Sequence, residues 1–210
     1  WIDIILSGDN AVVIALACRR LPPSQQRVAI LAGTGAAIAL RVAMATVVTL
    51  LLEISWLKLA GSGLLLWIAI KLLAPQDEEG GDGASIGSLW QAIRTIVIAD
   101  FVMSLDNVIG IAAAAKGSVL LLTLGLMISI PLIVFSSTVI LRFMGRYPWI
   151  VTLGGALLGY IAGEMAVTDR AVAGWIADHA PVLHTIGPVL GIVFVVVVGK
   201  VLAARITRQV

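Results

Sequence analysis

The stretch LSGDNAVVIA, residues 6–15, sets Asp9 and Asn10 side by side inside an apolar run. A carboxylate there is expensive, since an ionised Asp at a bilayer centre costs about 2.5–3.5 kcal/mol on insertion scales. MSLDNVIGIA, residues 103–112, carries the same Ser-x-Asp-Asn core. Aligning DIILSGDNAVVIALA from Asp3 with DFVMSLDNVIGIAAA from Asp100 brings Asp, Ser, Asp, Asn and Ile-Ala into register. A weaker match joins residues 61–74 to 153–166, so the repeated unit is three helices long.

The 210 residues are 60% hydrophobic and 12% charged with mean hydropathy +1.08, whereas soluble domains run near ~25% charged. This is the composition of a polytopic membrane protein. A bilayer core of ~30 Å takes about 20 apolar residues per helix. Runs at 1–19, 28–52, 57–74, 92–115, 118–141, 149–167 and 184–204 fit that length, separated by breaks at Pro22-Pro23, Pro75, Gly117 and Pro148. The expected fold is all-α, with seven transmembrane helices in one transmembrane domain. Repeat one spans 1–74, an acidic Gly-rich loop 75–91, repeat two 92–167, an external loop 168–183 and helix seven 184–204. Because three is odd, the second repeat enters from the opposite side: a 3+3 inverted-topology repeat plus one extra C-terminal helix. Transporters built this way place substrate near the midplane at the repeat interface.

Basic residues flank the runs unequally. Arg19, Arg20, Arg27, Lys71, Arg94, Arg142, Arg146, Lys200, Arg205 and Arg208 fall on one side; Lys58, Lys116 and Arg170 fall on the other. The positive-inside rule makes the first side cytoplasmic, with the N-terminus outside and the C-terminus inside. The net charge of +2 and pI near 9.0 come from these helix-end groups and suggest neither nucleic acid nor an acidic substrate. The single Cys18 rules out an intrachain disulfide and any CxxC pattern. Trp1 has no Met before it and the first run begins at once, so the chain is expected to lack its natural N-terminus; no cleavable signal peptide is visible.

On a helix, Asp3, Ser7 and Asn10 share one stripe, as do Asp100, Ser104 and Asn107. Asp9 and Asp106 project about 100° away in a regular helix. Either they face a neighbouring helix, or the chain unwinds, which Gly8 allows in the first copy and Leu105 does not in the second. Carboxylate, amide and hydroxyl oxygens are hard ligands suited to Mg²⁺, Ca²⁺ or Mn²⁺. Asp3, Asp9, Asn10, Asp100, Asp106 and Asn107 are therefore the candidate metal ligands, with Ser7 and Ser104 as accessories; interhelical hydrogen bonding is the competing explanation. Arg41 lies ~21 Å along the helix from Arg27, deep enough to need a counter-ion. It either pairs with one of the aspartates, coupling cation occupancy to conformation, or snorkels outward. Glu164 is a vestibule ligand or an interfacial carboxylate. Asp178, His179 and His184, in the external loop, are a His-Asp cluster able to capture metal, though their loose spacing favours solvated loop residues. Pro131 and the Gly155/Gly159 pair read as packing features.

The doubled Asp-x5-Asp-Asn motif, the buried Arg of the second helix and the seven spans resemble the TerC family of integral membrane proteins, in its short bacterial branch without appended domains. The resemblance covers essentially the whole chain. It implies Mn²⁺ efflux from the cytoplasm across the bacterial inner membrane, with proton exchange, and places the family's essential acidic residues on Asp3, Asp9, Asp100 and Asp106. Some members carry a further carboxylate one turn before the second motif; here RTIVIAD has Val97 instead.

The expected function is a secondary transporter of divalent cations. Mn²⁺ is selected by the resemblance, because oxygen ligands alone do not separate it from Ca²⁺ or Mg²⁺. The alternative is a non-transporting membrane scaffold or chaperone in metal or tellurite stress, or in metalation of secreted proteins. No enzyme is expected, since the spans hold no Ser/His/Asp or His-Glu-x-x-His arrangement, and no cofactor is called for. Oligomeric state is left open.

Overall fold

The computed structural model describes residues 8–74, 86–114 and 119–207, and every regular element among them is a helix. In chain order these are α1 (Gly8–Cys18), α2 (Pro23–Glu53), α3 (Leu57–Leu73), α4 (Ile86–Ala114), α5 (Val119–Arg146), α6 (Trp149–Thr168), α7 (Arg170–His179) and α8 (Leu183–Thr207). A helix lies at each apolar run. Among the described residues, four stretches are both long and apolar enough to cross a membrane: Pro23–Met44, Met127–Arg146, Trp149–Thr168 and Leu183–Arg205. Two expected loops are shorter than the sequence implied. α4 begins at Ile86, inside the segment 75–91, and α7 occupies much of 168–183.

Local chemistry accounts for the boundaries. α1 stops before Leu21-Pro22, and Pro23 opens α2, where a missing N–H costs nothing. Asp169 caps α7 by accepting from the Ala171 N–H at 2.7 Å. The same carboxylate accepts from the Trp56 N–H at 3.1 Å and the Leu59 N–H at 3.0 Å, so it also caps the start of α3. These bonds hold Trp56 at φ 73°, a left-handed conformation that bulky residues rarely adopt. Burial alone would raise the Asp169 pKa, but the backbone donors outweigh it and hold the carboxyl below its usual value.

The helices form two compact units. One gathers α1, α2, α4 and α5; the other gathers α3, α6, α7 and α8. The first has a core of Ile14, Cys18, Leu21, Ala29, Ile30, Ala92, Ile96 and Ile133. A Cβ at Gly33 would stand 2.7 Å from the Ile96 Cδ1, so glycine is what lets α2 approach α4. The second unit is built on glycine as well, and more heavily. A Cβ on Gly159 would come 2.5 Å from the Gly191 carbonyl oxygen, and one on Gly163 would strike the carbonyl oxygen of Gly187. Backbone meets backbone along α6 and α8, the close approach that small residues permit between membrane helices. Gly155 packs instead on Leu73 of α3. The Ser62 hydroxyl donates to the Ala162 carbonyl at 2.7 Å, joining α3 to α6.

Burial is inverted relative to a water-soluble protein. Val189, Leu190, Val193, Phe194 and Val197 of α8, and Met127, Ile128 and Phe135 of α5, are exposed, while Arg41, Asp100, Ser104 and Asn10 are buried. Apolar surface on this scale calls for a lipid solvent.

Candidate functional site

The polar groups of the first unit lie on three helical stripes that change character along their length. On α2 the stripe runs Ile30, Thr34, Ala37, Arg41; on α4 it runs Ala92, Ile96, Asp100, Ser104; on α1 it runs Asn10, Ile14, Cys18. Each spacing of three or four residues keeps one helical face. All three are apolar at the end near Arg19, Arg20 and Arg94 and polar at the other.

At the polar end, Arg41 forms an ion pair through Nη2 with Asp100 Oδ1, and its Nε donates to the Ser104 Oγ at 3.0 Å. The Ser104 hydroxyl donates to Asp100 Oδ2 at 3.2 Å, closing a three-residue ring. Asp100 thus accepts on both oxygens. Arg41 and Asp100 are only 2% and 7% exposed, and taking two charges out of water is justified only when geometry and hydrogen bonds compensate. Asp9 lies immediately before Asn10. Its Oδ1 accepts from the Asn10 N–H at 2.8 Å, in the first turn of α1.

Beside this ring lies a cavity of about 10 Å³, lined by Asn10, Thr34, Arg41, Asp100, Ile96 and Ile133 among others. The Asn10 amide oxygen and nitrogen and the Thr34 hydroxyl are buried with no hydrogen-bond partner among the described residues. Unsatisfied buried polar atoms are rare and need an explanation.

The expected ligand set is only partly in view. Asp3 and Ser7 lie outside the described residues, as do the side chains of Asp106 and Asn107. α4 is continuous through Leu105, whereas unwinding before Gly8 falls outside the described residues. Among the described residues, no three His, Cys, Asp or Glu side chains converge as a metal-ligand cluster. Glu164 is exposed on α6, in the second unit. Asp178, His179 and His184 are exposed too, and the His179 ring is stacked on Trp175 at 5.3 Å.

A profile of the family described as "Integral membrane protein TerC family" matches residues 1–209. The chain belongs to the TerC family. It is 42% identical to the uncharacterized membrane protein YjbE of Bacillus subtilis over 93% of this chain and 88% of the relative. It is 28% identical to the uncharacterized membrane protein YceF of the same species, over 77% of this chain and 66% of the relative. Identity to the inner membrane protein YoaE of Escherichia coli K12 is 26%, over 72% of this chain but 33% of that longer protein. No solved structure matches. Membership makes this an integral membrane protein, in keeping with its inverted burial.

Two residues of this TerC protein that carry structural weight were not singled out from the sequence. Thr34 could have been found as the polar member of the Ile30–Arg41 stripe, seven residues before Arg41. Asp169 could have been found as an N-cap residue preceding the helical run from Arg170.

Proposed function

We propose that this protein is a secondary transporter that exports divalent cations, with Mn²⁺ as the preferred substrate, from the bacterial cytoplasm in exchange for protons. The observation that carries this reading is the buried Arg41–Asp100–Ser104 ring beside a cavity with unpartnered Asn10. An intramembrane ion pair next to unsatisfied polar atoms is what a cation pathway requires. Asp100 is a carboxylate with two competing partners: Arg41 holds it when no cation is bound, and a dication displaces the guanidinium. Asp9, Asn10 and Asp100, with Asp3, Asp106 and Asn107, supply hard oxygen ligands. Proton exchange follows from the same carboxylates, because a dication selects their ionised form and protons compete for it.

The proposed architecture is seven crossings of the inner membrane, N-terminus outside and C-terminus in the cytoplasm, built as a 3+3 inverted repeat with α8 added. The grouping of α1 and α2 with α4 and α5, and of α3 with α6, supports it, because corresponding helices of the two repeats fall in the same unit. The transported ion and the bilayer are the partners; no chemical conversion and no resident cofactor are assigned.

The test is flux of Mn²⁺, Ca²⁺ and Mg²⁺ into proteoliposomes, with internal pH recorded. Wild type should move Mn²⁺ and alkalinise the lumen in step, because protons leave as the dication enters; acidification would overturn the exchange. Asp9→Asn and Asp106→Asn should reduce flux at least ~10-fold, the loss expected when one charged ligand worth about 1.4 kcal/mol or more is removed. Unchanged flux in both variants sinks the site, and no flux of any dication in wild type favours the scaffold.

A further inference from the structure

Thr34 differs from three other helical threonines among the described residues. Thr95, Thr138 and Thr168 all donate to the carbonyl four residues earlier in their own helices, at 2.8, 2.7 and 2.9 Å. That bond is always within reach of a helical threonine. Thr34 is 2% exposed and its hydroxyl has no partner among the described residues. It lines the cavity next to Asn10, which is 4% exposed and has both amide atoms unpartnered. A valine would fill the same space without an unsatisfied oxygen, so packing does not account for threonine here.

The cavity is small. At about 10 Å³ it has room for roughly one water-sized body, since a water needs on the order of 10–15 Å³. A hydrated dication does not fit; an ion resting there has exchanged its water for protein oxygens. Mg²⁺ surrenders its waters reluctantly, and this separates it from softer, more readily dehydrated dications of the same charge. Carboxylates attract both kinds alike. Discrimination falls to the neutral oxygens that replace water.

We propose that Thr34 is a specificity-determining ligand: its hydroxyl, with the Asn10 amide oxygen, replaces water around a dehydrated dication and so sets the preference for Mn²⁺ over Mg²⁺. This rests on the transport reading given above, and deepens it by adding to the motif residue Asn10 a selectivity ligand on α2, outside the repeated Asp-Asn motifs. The Arg41–Asp100–Ser104 ring provides charge; Thr34 and Asn10 provide choice.

The experiment compares full-length wild type with Thr34→Val and Thr34→Ser. Flux of Mn²⁺ into proteoliposomes is measured with and without competing Mg²⁺, and melting in detergent is measured without metal and with MnCl₂ or MgCl₂. Thr34→Val keeps the volume and removes the hydroxyl. It should melt no lower than wild type without metal, because an unsatisfied oxygen is gone. Its Mn²⁺-over-Mg²⁺ preference should fall ~10-fold, and the extra melting shift given by MnCl₂ over MgCl₂ should shrink with it. Thr34→Ser retains the hydroxyl and should restore most of the preference. A lower metal-free melting temperature in Thr34→Val, or equal loss of Mn²⁺ and Mg²⁺ flux, would make the hydroxyl structural and overturn the assignment. So would a preference unchanged from wild type. Failure of wild type to move any dication or to be shifted by MnCl₂ is a separate result, and it removes the transport reading itself.

Discussion

The two units of this protein solve opposite problems with the same helices. In the unit of α3, α6, α7 and α8, glycines let backbones touch, and the polar contacts, such as Ser62 to the Ala162 carbonyl, fasten one helix to the next. In the unit of α1, α2, α4 and α5, an arginine and an aspartate are buried together, and three polar atoms beside them go unpartnered among the described residues. A membrane protein gains stability by close packing and by leaving no polar group unsatisfied. Among the described residues the second unit follows that rule and the first departs from it, at the site proposed above to handle the cation.

The largest expected effect challenges the first unit. Arg41→Met takes the guanidinium away from the buried Asp100 carboxylate, and removing one partner of a buried pair costs about 3–5 kcal/mol. Denaturant unfolding in detergent should show that loss, and adding Asp100→Leu should recover most of it. A double variant as unstable as the single one would mean that the pair is structural after all. The next effect challenges the second unit. Gly159→Ala drives a methyl toward the Gly191 carbonyl oxygen, 2.5 Å from its ideal position, and overpacking of this kind costs about 1–3 kcal/mol. Unfolding should shift while the Mn²⁺-over-Mg²⁺ preference stays put; a changed preference would dissolve the contrast between the units.

The smallest effect sharpens the comparison at Asp169. Replacing it by Asn leaves one acceptor oxygen where the carboxylate uses two, so at least one of the Trp56, Leu59 and Ala171 N–H groups loses its partner, at about 1 kcal/mol for a hydrogen bond. Backbone donors hold the folded carboxyl below its ordinary value, so its contribution is present above the unfolded pKa of about 4 and is lost as pH falls through the lower folded value. The melting difference between wild type and Asp169→Asn should therefore stand at neutral pH and close on acidification below about pH 4. A difference independent of pH would take the charge out of the account.

Helix positions were legible because a membrane span announces itself by length and hydropathy. Arg41 was legible because a charge there is too costly to be incidental. Its partner was not, since Asp3, Asp9, Asp100 and Asp106 were all eligible and only packing of α2 on α4 selects Asp100. Thr34 escaped notice because a helical threonine normally satisfies itself. The contact of Gly159 and Gly163 with Gly191 and Gly187 was only half visible: Gly155/Gly159 spacing was apparent, but the glycines of α8 and the register between the helices depend on residues some thirty positions away. α7 was hidden by its mixed composition, which reads as a loop until Asp169 is seen to cap it.

The apolar ends of the three stripes have one more consequence. Between the polar group and the arginines at Arg19 and Arg20 lie Ile14, Cys18, Ile30 and Ile96, all buried, a layer about 12 Å deep from Asn10 to Cys18 at the helical rise. Such a layer is an electrical insulator, and a membrane voltage falls most steeply where water is excluded. Every elementary charge carried across the full potential exchanges about 2.3 kcal/mol per 100 mV with it. For the proposed exchange, departure of a dication against one proton would be resisted by the cell's own voltage, and departure against two would not feel it.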